Sequence, residues 1–283
     1  MTLNVTLPPP IRPGDRVAVV SPSWCAPAAF PLIHEQALGR IRDLGLVAVE
    51  FPFTRVQGSP AERAEDLMRA FEDDSIGAVM ATIGGDYQIT VLPHLEPTRM
   101  LGHPKRFLGY SDNTNLSNWL WFHGIGGVYG GSTAVHLGPG PQIDPDHLPS
   151  LRAAFFGGDL ELSPPTRTRD YGVAWDSASV LTETPSDWAA TPWQWSGPGR
   201  SVTGTVWGRP PVSTREDPRT EVEAADLRAQ RREVVLRAVA DYNPELVVVL
   251  DVDFGHTSPQ LLLPYGGKVT VDGEQQLITA HFG

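Results

Sequence analysis

Residues 76–86 read Ile-Gly-Ala-Val-Met-Ala-Thr-Ile-Gly-Gly-Asp. From Ile76 to Ile83 the run is apolar nearly throughout, without polar alternation. A strand that faces water on one side alternates; one covered on both faces does not, and such strands belong to parallel sheets. Gly84-Gly85-Asp86 then breaks the run.

The surroundings fit that reading. Upstream, Arg16 to Ser21 is a short β-rich run ended by Pro22. A helical stretch follows from about Ala29 to Leu44, with Ile33, Ala37, Leu38, Ile41 and Leu44 on one face, and Gly45 ends it. Val47 to Phe53 reads as a strand. Ser59, Pro60 and Glu62 form an N-cap, a first-turn proline and a capping box for a helix to about Asp73, with Ala64, Leu67, Met68 and Phe71 inward. Downstream, the spacing predicts a short helix around Gln88 to Leu95, a strand from Arg106 to Tyr110 and a helix from Asn113 to Phe122. This alternation predicts an α/β fold whose N-terminal part is a parallel sheet flanked by helices.

From about Gly138 to Gly199 the texture changes to dense Pro, Gly, Trp and Ser. This is read as a connecting region packed through Trp175, Trp188, Trp193 and Trp195. Beyond it come a strand (Val202 to Trp207), a helix (Thr220 to Tyr242), and strands at Leu246 to Phe254, Gln260 to Pro264, Lys268 to Val271 and Gln276 to Phe282. Asp272-Gly273 marks a hairpin. The expected organisation is an N-terminal α/β domain over 1–137, a connector over 138–200 and a smaller β-rich α+β domain over 201–283.

The chain has 283 residues, a formal net charge of −11 and one cysteine. No basic field is available to meet phosphates, so a nucleic-acid partner is not expected. A disulfide framework is excluded. No apolar run approaches a membrane span, and the N-terminus lacks a signal-peptide pattern. The expectation is a soluble cytoplasmic protein without membrane partners. Eight histidines show no metal-ligand spacing, so neither a metal nor another cofactor is expected. Cys25 reads as a small buried residue, and the charged helix around Arg228 to Glu233 as a solvated face.

Three features could carry chemistry. Ser111, in Gly109-Tyr110-Ser111-Asp112, stands after a strand and before a helix, where free N–H groups favour developing negative charge. The context is that of a nucleophile elbow, although Asn113 replaces the last glycine of G-x-S-x-G; an ordinary N-cap fits the same residues. Gly84 and Gly85 would let backbone amides approach a ligand, as an oxyanion hole requires; a plain tight turn uses the same pair. His256, after Gly255 and beyond the apolar run Leu246 to Leu250, is placed to act as a general base, or is a solvated loop histidine.

Taken together, these segments resemble the LD-carboxypeptidase family, in particular its branch of microcin C immunity-type serine peptidases. The resemblance is carried by Ile11-Arg12-Pro13-Gly14-Asp15, Ser21-Pro22-Ser23, Gly84-Gly85-Asp86, Leu92-Pro93, Gly109-Tyr110-Ser111-Asp112, Gly208-Arg209-Pro210, Asp253-Phe254-Gly255-His256-Thr257 and Leu263-Pro264-Tyr265-Gly266-Gly267, in that order. It implies a Ser–His–Glu hydrolase, with Ser111 as nucleophile, His256 as base, and the Asp112 amide with the Gly84-Gly85 turn as oxyanion hole. It also implies a murein-type peptide or a peptidyl-nucleotide conjugate as substrate, and a homodimer.

One departure stands out. Val206-Trp207-Gly208 matches a glycine-rich strand of the family, and Arg209-Pro210 already belongs to its later V-G-R-P segment. The stretch between them, which carries the family's catalytic glutamate, is absent. Glu183, Glu216, Glu221 and Glu223 lie in polar or loop contexts. The expectations are that another carboxylate substitutes or that the chain is a shortened hydrolase of impaired activity; the alternative is a catalytically inactive homolog acting as a binding or interaction protein.

Overall fold

The computed structural model describes residues 4–184, 188–189, 192–197, 204–214 and 216–283. Strands β1 (Arg16–Val20), β2 (Val47–Glu50), β3 (Ile76–Ala81), β4 (Arg106–Gly109) and β5 (Gly127–Tyr129) form a parallel sheet in the order β5-β4-β3-β1-β2. Side chains alternate across it. Val17, Val19, Ala78 and Met80 join one apolar cluster, while Ala18, Val20, Val79 and Ala81 join another on the opposite face. The 76–83 run is apolar because both faces are covered.

Helix α1 (Ala26–Ala29) and helix α2 (Pro31–Asp43) replace the single helix expected over 29–44. Pro31 opens α2, as a residue without an N–H does best in a first turn. Helix α3 (Pro60–Glu72) carries the expected capping box: Glu62 N–H donates to Ser59 Oγ at 3.3 Å, and Ser59 N–H to the Glu62 carboxylate at 2.8 Å. Its Ala64, Leu67, Met68 and Phe71 are buried, each large side chain contributing about 1.5–3 kcal/mol. Over 88–95 there are two 3₁₀ turns, Gln88–Thr90 and Leu92–His94, rather than one helix. Helix α4 (Pro97–Leu101) follows, and helix α5 (Thr114–Phe122) packs behind β4. Helix α4, the three-residue β5 and helix α6 (Leu148–Phe156), inside the expected connector, were not legible in the pattern.

The C-terminal strands are distributed among three sheets. Strand β6 (Asp159–Leu162) also lies in the expected connector. Gln194–Ser196 (β7) and Gly204–Gly208 (β8) flank Val247–Val252 (β9), antiparallel and parallel respectively. Leu263–Tyr265 (β10) pairs antiparallel with β5 and closes the first sheet at its edge, where Pro264 costs no ladder bond. Lys268–Asp272 (β11) and Leu277–His281 (β12) form the hairpin marked by Asp272-Gly273, with a longer loop than a two-residue turn, and β12 also pairs with β6. Residues 202–203 of the expected 202–207 strand and the Trp188 side chain lie outside the described residues.

Helix α7 (Glu221–Tyr242) is mostly exposed, but Arg228 corrects the expectation of a fully solvated face. It is 6% exposed and donates to Asp170 at 2.8 and 2.9 Å. Asp170 in turn pairs with Arg209, which also reaches Asp253 at 2.9 Å. This buried cluster ties the segment after β8 and the turn after β9 to the segment around 170. Among the described residues no helix is long and apolar enough to cross a membrane.

Candidate active site

Three loops leave the carboxyl ends of β1, β3 and β4 side by side, the edge where α/β sheets place their ligands. They are held together by Asp112. Its carboxylate accepts from Ser23 Oγ, from Gln88 N–H at 2.8 Å and from Asn115 Nδ2 at 2.9 Å. Asn113 adds a bond from its amide to the Ile83 carbonyl at 2.9 Å. The Asp112 side chain is thus the clamp of the turn, and only its backbone N–H is available to face a ligand.

Ser111 is the residue between β4 and α5, and the backbone there is strained. Its φ is +60°, a left-handed conformation that a non-glycine residue holds only when its surroundings impose it. The consequence is a hydroxyl lifted off the end of the sheet. Gly84 leaves the room: a Cβ there would lie 2.9 Å from Ser111 Cβ, 3.1 Å from its Oγ and 3.4 Å from the Asp112 nitrogen. Gly85 has φ +147°, and a Cβ there would meet Ser23 Oγ at 2.5 Å. We expect Gly84→Ala to slow serine-directed phosphonate labelling about tenfold, because displacing a reacting atom by a fraction of an ångström already misaligns attack. An unchanged labelling rate would show that the turn has slack.

His256 arrives from the other side of the molecule, on the turn after β9. Its Nε2 lies 3.0 Å from Ser111 Oγ, although the two are 145 positions apart. Gln260 fixes that turn, donating Nε2–H to the Gly255 carbonyl and accepting Gly131 N–H at 2.7 Å. The buried Tyr110 ring packs against the imidazole at 5.3 Å between centroids. Burial draws the His256 pKa below the ordinary value of 6.5, and among the described residues no carboxylate acts in the opposite direction. Among the described residues its Nδ1 has no hydrogen-bond partner.

The candidate substitutes for a third acid lie elsewhere. Glu223 caps α7 through Thr220, Glu221 occupies the same first turn, and Glu216 lies in the loop before it. Glu183 shares a cavity with His256 but accepts from Ser179 Oγ. Asp253, 2% exposed, is bound to Trp193 Nε1 at 3.0 Å and to Arg209.

A cavity of about 550 Å³ contains Ser111, Gly84, Gly85, Asp86, Trp24, Trp175 and His256. Sequence reasoning missed His136, His147 and Trp175 as members of this neighbourhood, because no motif marks them, and it gave Tyr110 no role although the residue stands in Gly109-Tyr110-Ser111-Asp112. His136 and His147 stack at 4.7 Å beside Tyr110. Burial, then His147 and His256, push His136 well below the ordinary histidine pKa. Among the described residues no group of His, Cys, Asp and Glu could hold a metal ion.

Known proteins share this fold. The structure superposes on microcin C7 self-immunity protein MccF with a TM-score of 0.78 over 98% of both chains, at 19% identity, a likeness of fold. Other MccF structures hold glutamyl sulfamoyl guanosine and aspartyl sulfamoyl adenosine. A Vibrio cholerae relative named as a carboxypeptidase is 29% identical over 69% of this chain and 59% of its own length. A Bacillus subtilis relative named as a murein peptide carboxypeptidase is 32% identical over 38% of this chain and 35% of its own. The models of the LD-carboxypeptidase N-terminal and C-terminal domains match residues 17–130 and 184–271, so the chain belongs to the LD-carboxypeptidase family.

Proposed function

We propose that the protein is a serine peptidase-like hydrolase that cleaves an amide bond next to a free carboxylate. The substrate class is murein-type peptides with an L,D bond or peptidyl-nucleotide conjugates, by analogy with the named relatives and the MccF ligands. The observation that carries this reading is the 3.0 Å contact of Ser111 Oγ with His256 Nε2 at a strained strand-to-helix turn.

In the proposed reaction Ser111 Oγ attacks the carbonyl carbon while its proton passes to His256 Nε2. The carbonyl oxygen becomes an oxyanion facing the amides of Gly85 and Asp112. The imidazolium then protonates the leaving amine, and water releases the acyl group by the same route in reverse. The test is labelling with a serine-directed phosphonate and mapping of the modified residue. Modification at Ser111 supports the reading; an unmodified Ser111 removes it.

A second reading, a binding protein with the family fold, is favoured by one observation: His256 has no acceptor for its Nδ1–H among the described residues. In the serine-protease template, disabling the acid costs about 10⁴ in turnover, because it fixes the tautomer and stabilises the imidazolium. The pH profile separates the cases. His256 acts as a base only when neutral. With burial alone lowering its pKa, the neutral form persists into acid, and the acid limb of kcat/KM is expected below pH 6.5. A limb above 6.5 would reveal a carboxylate paired with the imidazole.

A further inference from the structure

His256 stands between two cavities. Ser111 lines only the larger. The smaller, about 300 Å³, holds His136, His147 and Arg169 beside His256 and is walled largely by residues 135–183. That stretch lies outside both matched family segments.

The polar groups around this cavity are incompletely matched. His256 uses Nε2 for Ser111, and its Nδ1 has no partner among the described residues. His147 is 1% exposed; it donates Nδ1–H to the Gln260 carbonyl at 2.6 Å and leaves Nε2 buried without a partner among the described residues. A buried unmatched nitrogen is unfavourable, and a ligand that pairs with it recovers that cost. The lining carboxylates are already engaged: Asp144 by Arg169 and the Asp146 amide, Asp170 by Arg209 and Arg228, and Glu183 by Ser179.

We propose that this cavity binds a small carboxylate, which accepts the Nδ1–H of His256 and places beside it the negative charge that no described residue supplies. One carboxylate oxygen takes the His256 proton donor. The other faces His147, which takes up one proton from solvent and turns its Nε2 from acceptor into donor. The anion is either free in solution or the substrate's own terminal carboxylate. The catalytic consequence rests on the hydrolase reading; the binding does not.

The direct test is ¹⁵N-histidine NMR of the intact protein titrated with acetate, against chloride at equal ionic strength. Saturable shifts of the His256 and His147 ring signals are expected with acetate alone. His147→Asn should weaken binding by at least about tenfold, the value of one hydrogen bond to a charged group. Shifts no larger than those with chloride, or unchanged affinity in the variant, overturn the site. If His147→Asn does not fold, Gln142→Glu provides the second variant, because residue 142 lines the same cavity. A carboxylate fixed there should abolish the acetate response, and an undiminished response overturns the proposal.

Rates on an L,D-linked tetrapeptide and its C-terminal amide identify the source. Acceleration of both by acetate indicates a free anion. Hydrolysis of the free acid alone, insensitive to acetate, indicates the substrate's own carboxylate. Acetate binding without phosphonate labelling of Ser111 leaves the site standing and removes the hydrolase reading; labelling without binding does the reverse. Loss of labelling in Glu183→Gln without acetate binding would make Glu183 the acid and overturn the proposal.

Discussion

Ser111→Ala is expected to abolish phosphonate labelling and to lower kcat/KM on an L,D-linked tetrapeptide by about 10²-fold. The size follows from a Ser–His pair that has no third acid among the described residues. A complete serine triad contributes about 2 × 10⁶ to turnover, and loss of its acid alone removes about 10⁴. A Ser–His pair without a third member therefore leaves about 10², or roughly 2.7 kcal/mol of transition-state stabilisation, for the nucleophile to forfeit. Saturating acetate should enlarge the gap between the parent protein and the Ser111→Ala variant if a carboxylate completes the site. No difference between the two proteins would mean that hydrolysis does not pass through Ser111. A loss above about 10⁴ in the absence of added carboxylate would mean that the chain holds its own acid.

The largest effect on stability is expected at Arg209. Its guanidinium is 3% exposed and lies 2.9 Å from both Asp170 and Asp253, whose side chains are equally enclosed. Burial already pushes the Asp253 carboxyl up, and Arg209 is the leading force against that rise. Arg209→Leu keeps an apolar side chain in place and removes the charge, leaving Asp253 enclosed without a cation. Breaking a buried pair from one side costs about 3–5 kcal/mol. For a chain of this size Tm should fall on the order of 10 °C. Arg209→Lys, a point charge without the fork that reaches both aspartates, should recover only part of the loss. A thermal melt of Arg209→Leu within a degree or two of the parent would show that the cluster adds nothing net. The double variant Arg209→Leu with Asp253→Asn should be milder than the sum of its parts, since the groups share one network.

The Ser–His–Glu arrangement implied by the sequence resemblance gives the Arg209 cluster a further sense. Arg209 follows β8 directly, at the point where the family resemblance implies that a glutamate-bearing stretch is missing. In the structure this junction is not an open end. Arg209, Asp170, Arg228 and Asp253 close it with paired charges, and the Asp253 turn leads directly to His256. The shortened segment is therefore compatible with a defined position for the histidine.

Much of this was written into local sequence. The run from Ile76 to Ile83 read as a doubly covered strand, because an apolar stretch with no alternation leaves no face for water, and β3 occupies Ile76–Ala81 of it. The Ser59–Glu62 capping box fixed the start of α3, since its partners are three residues apart and need no tertiary help. Gly84, Gly85 and Ser111 were legible for the same reason: strand ends, glycine conformations and helix starts are properties of a few adjacent residues. The break at Phe30-Pro31 and the 3₁₀ turns over 88–95 were missed because helix periodicity tolerates such interruptions over one turn.

What neighbouring residues cannot encode was decided by the tertiary structure. Strand β5 is too short to show a pattern, and β10 joins the first sheet only because its partner edge is free there. His256 meets Ser111 across 145 positions through the packing of β9, Gln260 and Tyr110, none of which is spaced to announce it. His136 and His147 looked like isolated histidines, and only the fold stacks them beside His256. The sequence by itself determined the α/β sheet and the place of Ser111 between a strand and a helix, because both follow from side-chain period and local turn residues, whereas the left-handed strain at Ser111 is imposed by its surroundings. The pairing of that serine with a histidine, and the unfilled hydrogen-bonding positions behind it, arose only when distant segments were buried together.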